Sequence, residues 1–250
     1  MIVGTVTPDN QFPATACLVQ RGLGLENAAG FDVSAACSGF LNVLVTGWQF
    51  VASGMYDNVL CIGAESLTRV VDYDDRTSCI LFGDGAGAAV LSSQFDRGEI
   101  RSGYLKIDGS GYEVMHIPAG GTRVPASVET LQGRQHFMRI RGREVYKFAV
   151  NRMVELIQRE REANPDLELG YIVPHQVNLR IIESAREKLG IEWDKIFVNI
   201  EKYGNTSAAS IPIAFDELVR SGKLAAATGK QIIFCAFGAG LTWASASLKW

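Results

Sequence analysis

The sequence predicts an α/β fold built from two similar halves, and three observations carry that expectation. Short β-branched runs alternate with apolar or amphipathic runs of helical length along the whole chain, the pattern of βαβ units. Two stretches of the chain repeat one another in order and spacing. The composition, 47% hydrophobic and 20% charged over 250 residues, is that of a globular protein with material for one large or two smaller cores.

The repeat is visible residue by residue. Phe31, the run following Cys37 to Val51-Ala52-Ser53-Gly54, a strand and then Gly63-Ala64 parallel Phe197, the run following Ser207 to Val219-Arg220-Ser221-Gly222, a strand and then Gly238-Ala239. Ser34-Ala35-Ala36 falls opposite Ser207-Ala208-Ala209, and Ile2 to Pro8 opposite Ile172 to Gln176. A duplicated unit of this kind implies two sheets related by an approximate twofold with helices between them. The halves span residues 1–110 and 136–250, joined by a crossing loop over Asp108 to Gln135 that is rich in Gly, Pro and Thr. The second half carries a whole helix before its Tyr171 strand, whereas nothing precedes the matching Ile2 strand; the expectation is that the first half lacks its opening strand–helix segment.

The elements follow in order. Ile2 to Val6 is β-branched and closed by Pro8-Asp9-Asn10, a strand and turn. Pro13 to Leu23 reads as a helix with proline in its first turn and Gly24 at its end. The strand Phe31 to Val33 feeds small residues and then the apolar helix Phe40 to Val51. Asn58 to Ile62 is a strand, Cys79 to Leu91 a strand pair folded about Gly83-Asp84-Gly85-Ala86-Gly87, and Glu99 to Ile107 a further strand. In the second half come the amphipathic helix Arg141 to Ala163, the strand Tyr171 to Val173, the helix Leu179 to Leu189 and the strand Ile196 to Ile200. The helix Ser207 to Arg220, the strand Gln231 to Cys235, a glycine turn at Phe237-Gly238-Ala239-Gly240 and the strand Thr242 to Leu248 complete the chain.

Bulk properties exclude several function classes. A net charge of −3 argues against nucleic acid or an anionic membrane as the main partner. No apolar run reaches membrane-spanning length, and Met1 leads directly into strand-like sequence rather than into a signal peptide. Five cysteines, an odd number without CxxC spacing, suggest neither a disulfide framework nor a zinc site, which points to the reducing cytoplasm.

Chemistry concentrates around Cys37. In Asp32-Val33-Ser34-Ala35-Ala36-Cys37-Ser38-Gly39-Phe40 only small residues separate a strand from a helix, so the turn can be sharp and the thiol stands at or just before the first helical turn. Unpaired N–H groups and the helix dipole favour thiolate there, and small neighbours leave room for a substrate. The alternative, a small buried hydrophobe, is the usual use of a lone cysteine. Of three histidines, His116 and His136 lie in the crossing loop and at its edge, and His175 stands just past a strand end in Pro174-His175-Gln176-Val177-Asn178. A turn residue is its ordinary reading, but the pseudo-twofold points it toward the Cys37 turn. Asn205, in Gly204-Asn205-Thr206-Ser207, fits either a helix N-cap or the same pocket, because symmetry sets the two helix starts face to face. Phe237-Gly238-Ala239-Gly240 offers unobstructed amides, either as a tight turn or as an oxyanion hole.

Five motifs together, Ala35-Ala36-Cys37-Ser38-Gly39, Phe82-Gly83-Asp84-Gly85-Ala86-Gly87, Pro174-His175-Gln176-Val177-Asn178, Gly204 through Ser210 and Ala236-Phe237-Gly238-Ala239-Gly240, resemble the β-ketoacyl-acyl-carrier-protein synthase III family of the thiolase superfamily, in register from Met1 to Trp250. The resemblance implies a thiolase-like layered αβαβα fold, a homodimer and a Cys–His–Asn triad of Cys37, His175 and Asn205. It implies acyl-CoA and malonyl-acyl-carrier protein as substrates, no cofactor, and condensation that begins fatty-acid synthesis; related polyketide enzymes and an inactive interaction subunit are the alternatives. An oxyanion hole falls on the amides of Cys37 and Ala239 beside Gly238, with Phe237 next to the triad. Arg76 matches an arginine near the CoA adenine, and Phe12 a residue reaching across a dimer interface to limit acyl length. Lys147, Arg180, Arg186 and Lys188 resemble a basic patch that docks the acidic carrier protein. The segment expected before Met1 is where the family carries an aromatic residue and an arginine that clasp the CoA nucleotide.

Overall fold

A computed structural model describes residues 1–95 and 97–250. In chain order the strands are β1 (Ile2–Gly4), β2 (Phe31–Val33), β3 (Asn58–Glu65), β4 (Gly85–Ser92), β5 (Glu99–Ile107), β6 (Met115–His116), β7 (Arg139–Ile140), β8 (Leu169–Pro174), β9 (Gln231–Gly238) and β10 (Thr242–Lys249). The helices are α1 (Thr15–Leu23), α2 (Gly39–Ala52), α3 (Val128–Gln132), α4 (Gly142–Ala163), α5 (Leu179–Leu189), α6 (Ile200–Tyr203) and α7 (Ser210–Arg220).

Two four-stranded sheets form, one in the order β2-β1-β3-β4 and one in the order β5-β10-β9-β8. In the first sheet β2, β1 and β3 run parallel and β4 adds antiparallel to β3; in the second β8 and β9 are parallel, and β10 on β9 and β5 on β10 are antiparallel. Helices α2 and α7 touch strands of both sheets and lie between them, α1 covers the outer face of the first sheet, and α4 with α5 covers the outer face of the second. The layering is αβαβα. Strand β9 explains why its sequence is a continuous apolar run rather than an alternating one. Ile232, Phe234 and Ala236 pack inward on Phe40, Leu41, Leu44 and Ile211, while Ile233, Cys235 and Phe237 pack outward under Met153, Leu156 and Ile157.

Four expectations need correction. Cys79 to Leu91 is not a strand pair: Cys79–Leu81 is turn, and only β4 is extended. Its glycines serve close packing, since a Cβ on Gly87 would stand 2.9 Å from Pro212 Cβ and 3.0 Å from Ile213 N in α7. Ile196 to Ile200 makes only a single parallel bridge, Ile172 to Ile196, before the chain coils into α6. Strand β5 lies within residues 1–110 but pairs with β10, so the break between the sheets falls after β4 rather than at 110.

The fourth concerns the register of the repeat. Ala36 (φ 47°) and Ser207 (φ 49°) both take the left-handed conformation that costs a side-chain-bearing residue ~1–2 kcal/mol. Each opens a 3-10 turn, Ala36–Ser38 or Ser207–Ala209, leading directly into α2 or α7. Ala36 therefore corresponds to Ser207, and Cys37 to Ala208, two residues away from the alignment suggested by the small-residue runs.

Candidate active site

Cys37 owes its position to that strained turn. The hydroxyls of Ser38 and Thr242 both hold the Ala35 carbonyl, at 2.7 and 3.2 Å, tying the turn to the start of β10. The end of β9 runs directly behind it: a Cβ on Gly238 would stand 2.7 Å from the Cys37 amide nitrogen, so only glycine fits there. Cys37 is 8% exposed and lines a cavity of about 200 Å3. His175, Asn205, Phe237 and Gly238 line the same cavity, and its walls are otherwise mainly apolar, with Phe82, Met115, Ile140 and Leu241 among them. The sulfur, the imidazole and the carboxamide thus meet in one space, two of them contributed by the half opposite Cys37.

His175 is held at the end of β8, its amide donating to the Cys235 carbonyl at 2.8 Å. The ring is fully buried, with Nδ1 2.7 Å from Ser210 Oγ and Nε2 without a hydrogen-bond partner among the described residues. Phe237 packs edge-to-face on it at 5.9 Å. Burial pulls the imidazole pKa down to about 3, so the ring is neutral at any physiological pH.

Asn205 is clamped by its backbone, its N–H donating to the Leu81 carbonyl at 2.9 Å and its own carbonyl accepting from Gly83 N at 3.0 Å. Its side-chain Oδ1 accepts from Ser207 N at 2.8 Å. That bond makes an Asx turn rather than the expected N-cap, since the cap position of the 3-10 turn is Thr206 with no side-chain cap bond; Asn205 also lines the cavity.

The thiol corrects a further expectation. Burial pushes the Cys37 pKa up to about 12; the Ser207 hydroxyl and the residue's own amide pull in the opposite direction, and the Glu65 charge adds to the rise. Desolvation outweighs the helix start, so the resting group is thiol rather than thiolate. Glu65, at the end of β3, went unread in the sequence. It is 4% exposed and accepts from Thr5 Oγ1, Val6 N and Thr7 Oγ1 in the first half and from Ser207 Oγ in the second. Burial raises its carboxyl pKa against the pull of those four donors.

Other expected positions lie outside the cavity. Ala239 is half-buried just past β9 and does not line it. Arg76 is exposed in the loop before β4, and Phe12 is 87% exposed ahead of α1. Lys147 on α4 and Arg180 on α5 are exposed and flank residues of the cavity wall, Tyr146 and Ile181. Lys188 is exposed but reaches Asn151 Oδ1 at 3.3 Å. Arg186 is committed elsewhere: it stacks over Trp193 and donates to the Ile191 carbonyl at 3.0 Å, locking the end of α5. Among the described residues no group of three His, Cys, Asp or Glu side chains could hold a metal ion, and no helix is long and apolar enough to cross a membrane.

Residues 31–109 match the model of 3-oxoacyl-[acyl-carrier-protein] synthase III, and residues 161–250 that of its C-terminal region. The β-ketoacyl-[acyl-carrier-protein] synthase III of Caldanaerobacter subterraneus subsp. tengcongensis is 49% identical over the whole of this chain, which covers 76% of that protein. The chain belongs to the β-ketoacyl-acyl-carrier-protein synthase III family. The solved synthase III of Aquifex aeolicus VF5 superposes with a TM-score of 0.88 at 43% identity, covering all of this chain and 76% of that one. The priming β-ketosynthase of the R1128 polyketide pathway superposes at 0.85 with 34% identity, covering 99% of this chain and 73% of that one. The chain thus spans about three quarters of the length of these synthase III relatives, and it is an acyltransferase-type condensing enzyme with their thiolase-like fold.

Proposed function

We propose that this synthase III catalyses decarboxylative Claisen condensation of a short acyl-CoA, acetyl-CoA foremost, with malonyl-acyl-carrier protein, the step that starts fatty-acid synthesis. The observation that carries the reading is the shared cavity of Cys37, His175 and Asn205. The Cys37 sulfur attacks the acyl thioester, a new thioester forms, and CoA leaves as a thiol carrying the proton the cysteine gives up. Malonyl-acyl-carrier protein then enters with its thioester carbonyl facing His175 Nε2 and Asn205. As the C–C bond to the carboxylate breaks and CO2 departs, the electron pair forms an enolate whose oxygen those two neutral groups stabilise by donating hydrogen bonds. The enolate carbon attacks acyl-Cys37, the sulfur leaves as thiolate and takes a proton from water, and 3-oxoacyl-acyl-carrier protein is released. Phe237 and the apolar walls favour the step because a carboxylate is poorly solvated there and neutral CO2 is not.

Side chains, backbone amides and the substrates' own thioesters carry every step of this scheme, so it calls for no cofactor. Lys147 and Arg180, exposed next to the wall residues Tyr146 and Ile181 in sequence, suit an acidic carrier protein. The exposed Phe12 suits a second copy of the chain, toward whose cavity it would point in a homodimer. Incubation with labelled acetyl-CoA tests the reading: label on Cys37, and 3-oxobutyryl-acyl-carrier protein on addition of malonyl-acyl-carrier protein, are the expected results. A folded protein that takes no label would be an interaction subunit. The likeness to a polyketide priming enzyme gives a second reading, for which longer starters or malonyl-CoA would outperform acetyl-CoA and the carrier-bound donor.

A further inference from the structure

Ser210, the first residue of α7, plays no part in the chemistry above, yet it is buried and its hydroxyl meets Nδ1 of His175 at 2.7 Å. We infer that Ser210 is a positioning residue that fixes the tautomer of His175, holding the proton on Nε2 where the ring faces the substrate. The inference rests on the proposed condensation and adds to it the group that makes His175 a donor.

The assignment comes from counting protons. Ser210 Oγ accepts the Gln176 amide N–H at 3.3 Å, which occupies one lone pair. Its own proton needs an acceptor, and among the described residues the only one it meets is His175 Nδ1, at 2.7 Å. Nδ1 therefore accepts, and the neutral ring must carry its single proton on Nε2, the atom that has no partner among the described residues. The neighbouring polar side chain cannot replace Ser210. Gln176 Nε2 donates to the Pro174 carbonyl at 2.8 Å, and Gln176 Oε1 accepts from Asn199 N at 3.0 Å. Phe237 presents only carbon to the ring.

A fixed Nε2–H divides the two half-reactions. Decarboxylation needs a donor at Nε2, and the locked tautomer supplies one without reorganisation. Acylation of Cys37 does not draw on it, since a protonated Nε2 cannot accept the thiol proton. Loss of the Ser210 hydroxyl should therefore impair decarboxylation and spare acylation of Cys37, a split that general loosening of the site would not produce.

The test uses 15N-histidine-labelled full-length protein. In the wild type, His175 should show a protonated Nε2 and an unprotonated Nδ1; a protonated Nδ1 overturns the inference without any variant. Ser210→Ala should shift the ring toward a mixture of tautomers, slow decarboxylation of malonyl-acyl-carrier protein by about tenfold or more, and leave the rate of Cys37 labelling by acetyl-CoA within about twofold. Ser210→Cys, which restores a weaker donor in nearly the same volume, should recover part of the decarboxylation rate. Equal losses in both half-reactions, or an unchanged tautomer and rate in both variants, would refute a positioning role. Failure of the wild type to decarboxylate at all would instead count against the condensation itself.

Discussion

The Ser207 amide donates to Asn205 Oδ1 at 2.8 Å, and that bond decides which end of the carboxamide is left for a substrate. With the oxygen engaged, Nδ2 is the free end, a donor. Asn205→Asp keeps the oxygen that accepts the Ser207 amide and exchanges the donor for a second oxygen. Decarboxylation of malonyl-acyl-carrier protein should fall by about 10²-fold or more, the usual cost of one oxyanion donor, while acetyl transfer to Cys37 persists. Single-turnover assays of the two steps check this.

Acid should destabilise the fold through His175. Its pKa is about 3 in the folded protein against an ordinary 6.5, so the unfolded chain binds a proton that the native state refuses between those values. The contribution is intact above pH 6.5 and is lost as pH falls toward 3, at ~1.4 kcal/mol per pH unit for one proton. Denaturant midpoints between pH 7 and 4 should show this slope diminished in His175→Asn.

Alkali acts in the opposite direction on the thiols. Cys37, Cys61 and Cys235 are each pushed by burial from 9 to about 12, so the native state keeps protons that the unfolded chain releases. Stability from these groups is full below pH 9 and declines as pH rises toward 12. Alkylation of Cys37 by iodoacetamide should accelerate about tenfold per pH unit from 7 to 9 with no plateau. Glu65→Gln, which removes a negative charge that raises the thiol pKa, should speed alkylation at pH 8.

Gly238→Ala should disturb acyl transfer before it disturbs folding. The added methyl meets the Cys37 amide at 2.7 Å, so the turn that carries the sulfur must shift. A stability loss of ~1–3 kcal/mol is expected, with a larger proportional fall in Cys37 labelling. Thermal melts and labelling rates measured side by side separate the two effects.

Charge reversal at Lys147 or Arg180 should raise the KM for malonyl-acyl-carrier protein several-fold, more strongly at low salt, and leave acetyl-CoA labelling unchanged. Reversal at Arg186 should instead lower stability, because that side chain is occupied in closing α5.

Local sequence carries the main parts of the site. Cys37 follows a strand and a run of small residues, His175 stands just past the end of β8, and Asn205 leads from α6 into the second left-handed turn; the repeat in the sequence already sets those turns against one another. What supports them is not readable there. The Ser207 contact with Glu65 spans 142 positions and the His175 contact with Ser210 spans 35, and nothing local marks either acid or hydroxyl as a partner. Gly85 and Gly87 mislead for a related reason: a glycine placed for close passage beside α7 looks, in sequence, like one placed for a bend. The thiol's charge state depends on how deeply the turn is covered, a property of the assembled layers that helix-end electrostatics alone does not give.

The paired left-handed turns have an asymmetric outcome. Ala208 occupies the place in one half that Cys37 holds in the other, but its carbonyl oxygen would be only 2.3 Å from a Cβ on Gly63, and its methyl 3.3 Å from one on Gly39. One sharp corner opens onto the cavity, while its twin is wedged into the seam between the halves. Grafting a second sulfur at 208 would therefore not yield an enzyme with two reaction centres: the molecule is built on a doubled plan with a single vacancy.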